Sequence, residues 1–238
     1  MLWRDTIRTA RQPEMLVFAV VMGVFFLVLF NYVFGGAIDA GADVDYLQFL
    51  VPGVIVITAL QGAQQTSMGL AADLAEGVRS LPMSQVAVIA GRTLADAFRN
   101  FIGLSLVALL ALIMGYRFGS LSGAVAAIVL ATFVGFGFSW LGAAIAAKVR
   151  QPDLVGMLSM FWLFPLMLAS TAFAPAASMS GWLQPFASSQ PISVAADAVR
   201  GLSEGSVATA DLVLAIVWTL GLLMVFAPLS IRLYTRTD

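Results

Sequence analysis

The sequence predicts an all-α membrane protein with six transmembrane helices. Two features of its composition and one of its patterning carry that prediction. Of 238 residues, 61% are hydrophobic and 11% charged, whereas soluble domains hold about a quarter charged residues. The mean hydropathy is +0.96. The apolar residues gather in six long stretches, each near the roughly 20 residues that cross the hydrocarbon as a helix. Alternating ten-residue segments, the mark of a membrane barrel, are not seen. Since every backbone amide needs a partner in lipid, unbroken stretches of this length read as helices.

Charges and turn residues punctuate the elements. Residues 1–12 place Trp3, Ile7 and Ala10 on one helical stripe and Arg4, Arg8 and Arg11 on the next. That is the pattern of an interfacial helix whose arginines reach anionic headgroups. The first span is Met15 to Phe34, closed by Gly35-Gly36. Its length, with no small-x-small site after it, marks a retained span rather than a cleaved signal. The second runs from Leu47 to about Leu70, and the third from after Pro82 to near Tyr116. The fourth is Leu121 to Ala147, the fifth Leu154 to Ala174, and the sixth Leu212 to Ile231.

Basic residues orient the chain. With a cytoplasmic N-terminus, the inner connectors hold Arg4, Arg8, Arg11, Arg79, Arg92, Arg99, Lys148, Arg150, Arg232 and Arg236. The outer ones hold only Arg117 and Arg200, and the first outer loop carries Asp39, Asp43 and Asp45 without a base. Both termini are therefore expected inside.

Several chemistries are excluded. The chain has no cysteine and no histidine, so thiolate metal sites, cysteine nucleophiles and histidine bases are absent. Lys148, the only lysine, follows Ala147, which rules out a Walker A loop. A formal net charge of -1 gives no reason to expect nucleic acid as a partner. All spans but the third lack Asp, Glu, Lys and Arg, whereas coupled carriers and charged pores keep such groups at mid-membrane. No catalytic residue and no metal ligand set is expected, and the protein is not expected to be an enzyme.

The remaining polar residues are the candidates. Arg92, Asp96 and Arg99 follow i, i+4, i+7 on the third helix. They form a self-neutralising ladder, either solvated or packed on a neighbour, or else involved in transmitting motion. Gln61, Gln64, Gln65 and Met68 share a stripe on the second, near Thr58, Thr66 and Ser67. Three amides on one stripe avoid lipid, so they bond to another helix or line a polar path. Phe25, Phe26 and Phe30 in the first span, and Met157, Met160, Phe161, Trp162, Phe164 and Met167 in the fifth, are lipid-facing, packing, or cavity-lining residues. Residues 71–85 form a cytoplasmic connector in which Asp73 and Glu76 precede Gly77, Arg79, Leu81 and Pro82. The pattern suggests a short surface helix, a break and a restart. Residues 175–206, cut by Pro175, Gly181, Pro185, Pro191, Gly201 and Gly205, form the outer connector. There Gln190 suits a cap, Pro191 a first turn and Gly201 a C-terminal stop. Ile192, Ala195, Val199 and Leu202 make an apolar stripe opposite Asp197 and Arg200, which suggests a re-entrant or interface-dipping helix pair.

Several of these stretches together resemble the permease subunits of type 2 ABC transporters, in the daunorubicin-resistance-like branch of bacterial exporters. They are Phe30-Asn-Tyr-Val-Phe-Gly-Gly-Ala-Ile38, Phe49-Leu-Val-Pro-Gly53, and Arg79-Ser-Leu-Pro-Met83 with Ala90-Gly-Arg-Thr-Leu-Ala-Asp96. They continue with Phe164-Pro-Leu-Met167, Gly181-Trp-Leu-Gln184, and Gln190-Pro-Ile-Ser193 leading to Asp197-Ala-Val-Arg-Gly201. They occur in family order and cover nearly the whole chain. The resemblance implies a single permease domain of six spans that pairs with an identical or homologous permease and with two ATPases. ATP and magnesium belong to those ATPases, and this chain binds no cofactor. It also implies an N-terminal elbow helix, a coupling segment (Asp73, Glu76, Gly77, Arg79, Leu81, Pro82) against the ATPase, and outer re-entrant helices. A cargo path past Phe26, Phe30, Gln61, Gln64, Phe161 and Phe164 is implied at the level of helices. The segment between Gly77 and Arg79 is shorter than the family's, and Gln190 replaces the usual Asn, a poorer cap. The expected activity is ATP-driven export of a lipophilic or amphipathic drug, antibiotic or lipid across the bacterial cytoplasmic membrane. The competing classes are a channel or secondary carrier, and a non-transporting scaffold.

Overall fold

The computed structural model describes residues 13–34, 46–75, 85–206 and 208–235. Eight α-helices account for nearly all of them, and there is no strand among the described residues. They are α1 (Pro13–Phe34), α2 (Tyr46–Ala75), α3 (Gln85–Ile113), α4 (Leu121–Val149), α5 (Pro152–Leu168), α6 (Gln184–Ser189), α7 (Pro191–Glu204) and α8 (Thr209–Thr235), with a 3-10 turn at Ala176–Ser178. Four are long and apolar enough to cross a bilayer: α2, Ala90–Ile113 of α3, α4, and Thr209–Tyr234 of α8. Residues 1–12 and the acidic loop with Asp39, Asp43 and Asp45 lie outside the described residues.

α2 is the hub. In its apolar window 78% of the residues are buried, and α1, α3, α4, α5 and α7 all pack on it. At 30 residues it is about 45 Å long, well beyond the hydrocarbon thickness. It continues past the expected Leu70, so Ala71, Asp73 and Leu74 belong to it. Small residues let α4 approach it closely, as they do where helices pack in membranes. A Cβ at Gly142 would fall 1.7 Å from Ser67 Oγ, and one at Gly135 2.8 Å from the Ala59 carbonyl. Asn100 of α3 donates to that same Ala59 carbonyl at 3.0 Å.

Two sequence expectations are corrected here. The fifth apolar stretch does not remain helical to Ala174, because α5 stops at Leu168 after 17 residues. Its exposed carbonyls are taken by a side chain from elsewhere, since Gln190 Nε2 donates to the Leu166 and Ala169 carbonyls at 2.9 and 2.8 Å. The Thr171 amide turns aside to Ser193 Oγ at 3.0 Å. Gln190 therefore occupies the N-cap position of α7 without a side-chain cap bond of its own. Nor is Gly201 the stop of that helix. α7 continues to Glu204, and Gly205 at φ 79° ends it. The Ser206 amide reaches back to the Gly201 carbonyl at 2.9 Å and the Gly205 amide to Leu202 at 3.3 Å, a Schellman arrangement that needs a left-handed residue.

Ile192, Ala195 and Val199 are fully buried, as their stripe implies, but so are Val194, Ala196 and Ala198. α7 is embedded between α2, α4 and α8. The α3–α4 connector seals its far end. There the Gly119 amide donates to the Ser203 carbonyl at 2.8 Å, and Tyr116 is buried against Phe118 with ring centroids 4.7 Å apart. Burial pushes the Tyr116 phenol above its ordinary range.

Candidate functional site

Three stretches that are distant in the sequence meet at the end of the bundle where α2 begins. Pro52 and Gly53 cut a notch in α2, and the turn after α5 fills it: a Cβ at Gly53 would lie 2.0 Å from the Ala172 carbonyl. Only a glycine admits so close a backbone approach. Arg200 of α7 locks the joint. Its Nε and Nη2 both donate to the Phe49 carbonyl at 3.3 Å, and Nη2 also to the Thr171 carbonyl at 3.1 Å. Nη1 pairs with Asp197, which accepts from the Thr171 hydroxyl at 3.1 Å. The guanidinium also stacks over the Phe49 ring, 3.9 Å from its centroid. Its side chain is 14% exposed. Planar and forked, it serves three elements at once, a task suited to Arg rather than Lys.

Aromatic rings continue from this joint to α1. Phe30 stacks on Phe173 at 4.2 Å with planes 9° apart, and Phe26 lies 6.1 Å from the same ring. The Tyr46 hydroxyl donates to the Phe173 carbonyl at 2.8 Å. Phe26 and Phe30 are thus half-buried on the turn that α7 holds. Phe173 and Thr171, which organise this region, were missed in the sequence because they lie inside an apolar stretch read as helix.

The polar stripe of α2 divides. The hydroxyls of Thr58, Thr66 and Ser67 donate to carbonyls of their own helix at 2.8, 3.1 and 2.8 Å, which removes the need for another partner. Gln64 crosses to α5, donating to the Gly156 carbonyl at 3.2 Å. Beside it a small crevice between α2, α4 and α5 is lined by Leu60, Gln64, Ser67, Phe138, Ser159 and Trp162. Trp162 stacks on Phe138 at 6.0 Å there. Gln61 is half-buried on the adjoining turn. Phe161 and Phe164, 82% and 45% exposed, occupy the opposite face of α5, whose buried side is Val155, Ser159, Leu163 and Met167. The structure of the single chain does not bring them to Gln61 and Gln64.

At the other end, the charge ladder of α3 is packed on a neighbour. Arg99 Nη2 lies 2.9 Å from Asp96 Oδ1 and Arg92 Nε 3.6 Å from Asp96 Oδ2. Arg92 also pairs with Asp73 at the end of α2, a partner that helical spacing alone cannot reveal. Glu76, Gly77, Arg79, Leu81 and Pro82 lie outside the described residues. No cluster of metal-ligating side chains occurs among the described residues.

Comparison with known proteins adds a family. The sequence model described as "ABC-2 type transporter" matches residues 1–202. A daunorubicin resistance ABC transporter permease protein (DrrB1) of Streptomyces coeruleorubidus is 37% identical over 242 aligned positions, covering 100% of this chain and 85% of that protein. A probable doxorubicin resistance ABC transporter permease protein (DrrC) of Mycobacterium tuberculosis is 26% identical, covering 94% and 83%. A putative transport permease, ycf38, of Cyanophora paradoxa is 22% identical, covering 82% and 70%.

Proposed function

The chain belongs to the ABC-2 type transporter family, and on that premise we propose that it is the membrane half of an ATP-driven exporter of lipophilic or amphipathic molecules. The observation that carries the reading is the family match, which runs across the helical bundle from α1 to α7. The names of the related permeases make daunorubicin or doxorubicin the first cargo to test. In this reading the chain is one permease domain, residues 1–238. Residues 1–12 form the elbow helix, α1, α2, α3, α4, α5 and α8 the six spans, and residues 175–206 the outer re-entrant region. The bias of basic residues supports cytoplasmic termini in a bacterial cytoplasmic membrane. ATP and magnesium act on two partner ATPases, and a second permease, identical or homologous, completes the path.

Mechanically, ATP-driven closure of the ATPases displaces residues 71–85, where Asp73, Glu76, Gly77, Arg79, Leu81 and Pro82 form the coupling segment. Rigid helices carry that displacement toward the α7 end. Phe26, Phe30, Gln61, Gln64, Phe161 and Phe164 are the cargo-facing positions. Phe161 and Phe164 then meet the path across the second permease, consistent with their exposure on one chain. Gln190, Pro191, Asp197, Arg200 and Gly201 hold the outer helix. The test is co-expression with a Walker-A-bearing subunit, followed by ATP-dependent uptake of daunorubicin into inverted vesicles. Co-purification and ATP-dependent uptake are expected, and an absence of both overturns the reading. Glu76→Lys should weaken the association while leaving membrane insertion intact.

A further inference from the structure

Four charges at the Asp73 end of the bundle form a continuous alternating chain across two helices. Asp73 stands in the last turn of α2 and Arg92 two turns into α3. Arg92 is 3.6 Å from Asp96, and Asp96 2.9 Å from Arg99. Asp96 is 8% exposed and Arg99 16%, so the chain runs into the bundle as it leaves α2. The Arg92 guanidinium lies over Gly69 of α2, where a Cβ would come within 2.2 Å of it. The seat is therefore built on both helices. We propose that this chain is a positioning clamp: it fixes α2 and α3, which flank residues 76–84, as one body, so that a push delivered between them moves the bundle instead of spreading its two legs.

The physical case rests on sign, burial and direction. Along the chain each charge stands next to an opposite one, and the Asp73–Arg92 pair draws α2 and α3 together. Partial burial strengthens every pair over its value in water. The Asp73 carboxylate pairs with Arg92 of α3, so within the coupling segment it is the group that ties the segment's base to the neighbouring helix. The proposal rests on the exporter reading, because only there does a push arrive between these helices.

The experiment reconstitutes the permease with its ATPase in liposomes and measures cargo moved per ATP hydrolysed. Arg92→Ala should lower that ratio about fivefold or more, the lower range of free-energy coupling between linked sites, while the ATPase still binds. Arg92→Lys, which can keep one ion pair, should fall between Arg92→Ala and the parent. The chain has no cysteine, so Gly69→Cys with Arg92→Cys, on facing positions of α2 and α3, gives two unique thiols outside the coupling segment. A reversible thiol cross-linker, applied before the ATPase is added, should restore the ratio, and a reducing agent should abolish it again. A parental ratio in Arg92→Ala overturns the clamp, as does a cross-linked pair no better than its reduced form. Loss of ATPase binding in Arg92→Ala assigns docking instead and also overturns it. A parent complex that hydrolyses ATP without moving any cargo overturns the exporter reading, and the clamp with it.

Discussion

Replacing Arg200 by Ala tests whether the joint of α2, α7 and the post-α5 turn stabilises the protein. The guanidinium gives up its bonds to the Phe49 and Thr171 carbonyls, its pairing with Asp197, and its stacking on Phe49. Removing one member of a buried pair costs about 3–5 kcal/mol, chiefly because the other charge is stranded. Asp197 is not fully stranded, since its side chain is 34% exposed and keeps the Thr171 hydroxyl. The lower end of the range, about 3 kcal/mol, is therefore expected. For a chain of this size that is a fall of about 6–12 °C in Tm, measured by thermal unfolding in nanodiscs. Arg200→Lys keeps the charge and loses the fork, so it should lie between Arg200→Ala and the parent. In a double-mutant cycle, Asp197→Ala combined with Arg200→Ala should be less damaging than the sum of the two, by about 1–3 kcal/mol. An Arg200→Ala protein that unfolds within about 1 °C of the parent, a shift of only a few tenths of a kcal/mol, would refute this account of the joint.

Gln190→Ala strands the Leu166 and Ala169 carbonyls that its amide now satisfies. It should cost about 1–3 kcal/mol in the same assay, at the price usual for an unmade buried bond; Gln190→Asn, one methylene shorter, should recover little. Gly142→Ala puts a methyl onto Ser67 and should destabilise by about 1–3 kcal/mol, the usual cost of overpacking. Ser67→Gly in the same chain should relieve most of that, whereas Ser67→Ala should relieve less because the Ser67 Cβ is itself 2.7 Å from the added methyl.

The helical class and the positions of the long helices were legible because length and apolarity are local properties. The apolar stretches place α4 to within two residues of its end, and α8 to within four residues at either end. The end of α5 was not, because Ala169 to Ala174 are as apolar as the helix before them. What ends α5 is Gln190 and Ser193, supplied by a helix that follows only later in the chain. Likewise, Gln190 and Gly201 were read as the caps of α7 by local rules. Gln190 does hold the N-cap position of α7, but its side chain closes α5, and four residues after Gly201 it is Gly205 that provides the left-handed stop. The i, i+4, i+7 spacing exposed the Arg92–Asp96–Arg99 ladder. It could not supply Asp73, which becomes a neighbour only when α2 and α3 fold side by side.

Which face of each helix packs was the least legible feature, and the bilayer is the reason. In water, a buried face is apolar and an exposed face polar, so periodicity reports burial. In lipid both faces can be apolar, and the contrast vanishes. Among the four long apolar helices, α8 has the highest mean hydropathy, yet only 11% of its window is buried. α2 has the lowest and is 78% buried. The marks of the core helix are thus residues that weaken its apolar character: Gly53 admitting the Ala172 backbone, Ser67 meeting Gly142, and Gln64 crossing to α5. A small or amide side chain in a span indicates a close neighbour more reliably than a leucine does, because lipid offers a leucine the same welcome as protein and offers an amide no partner.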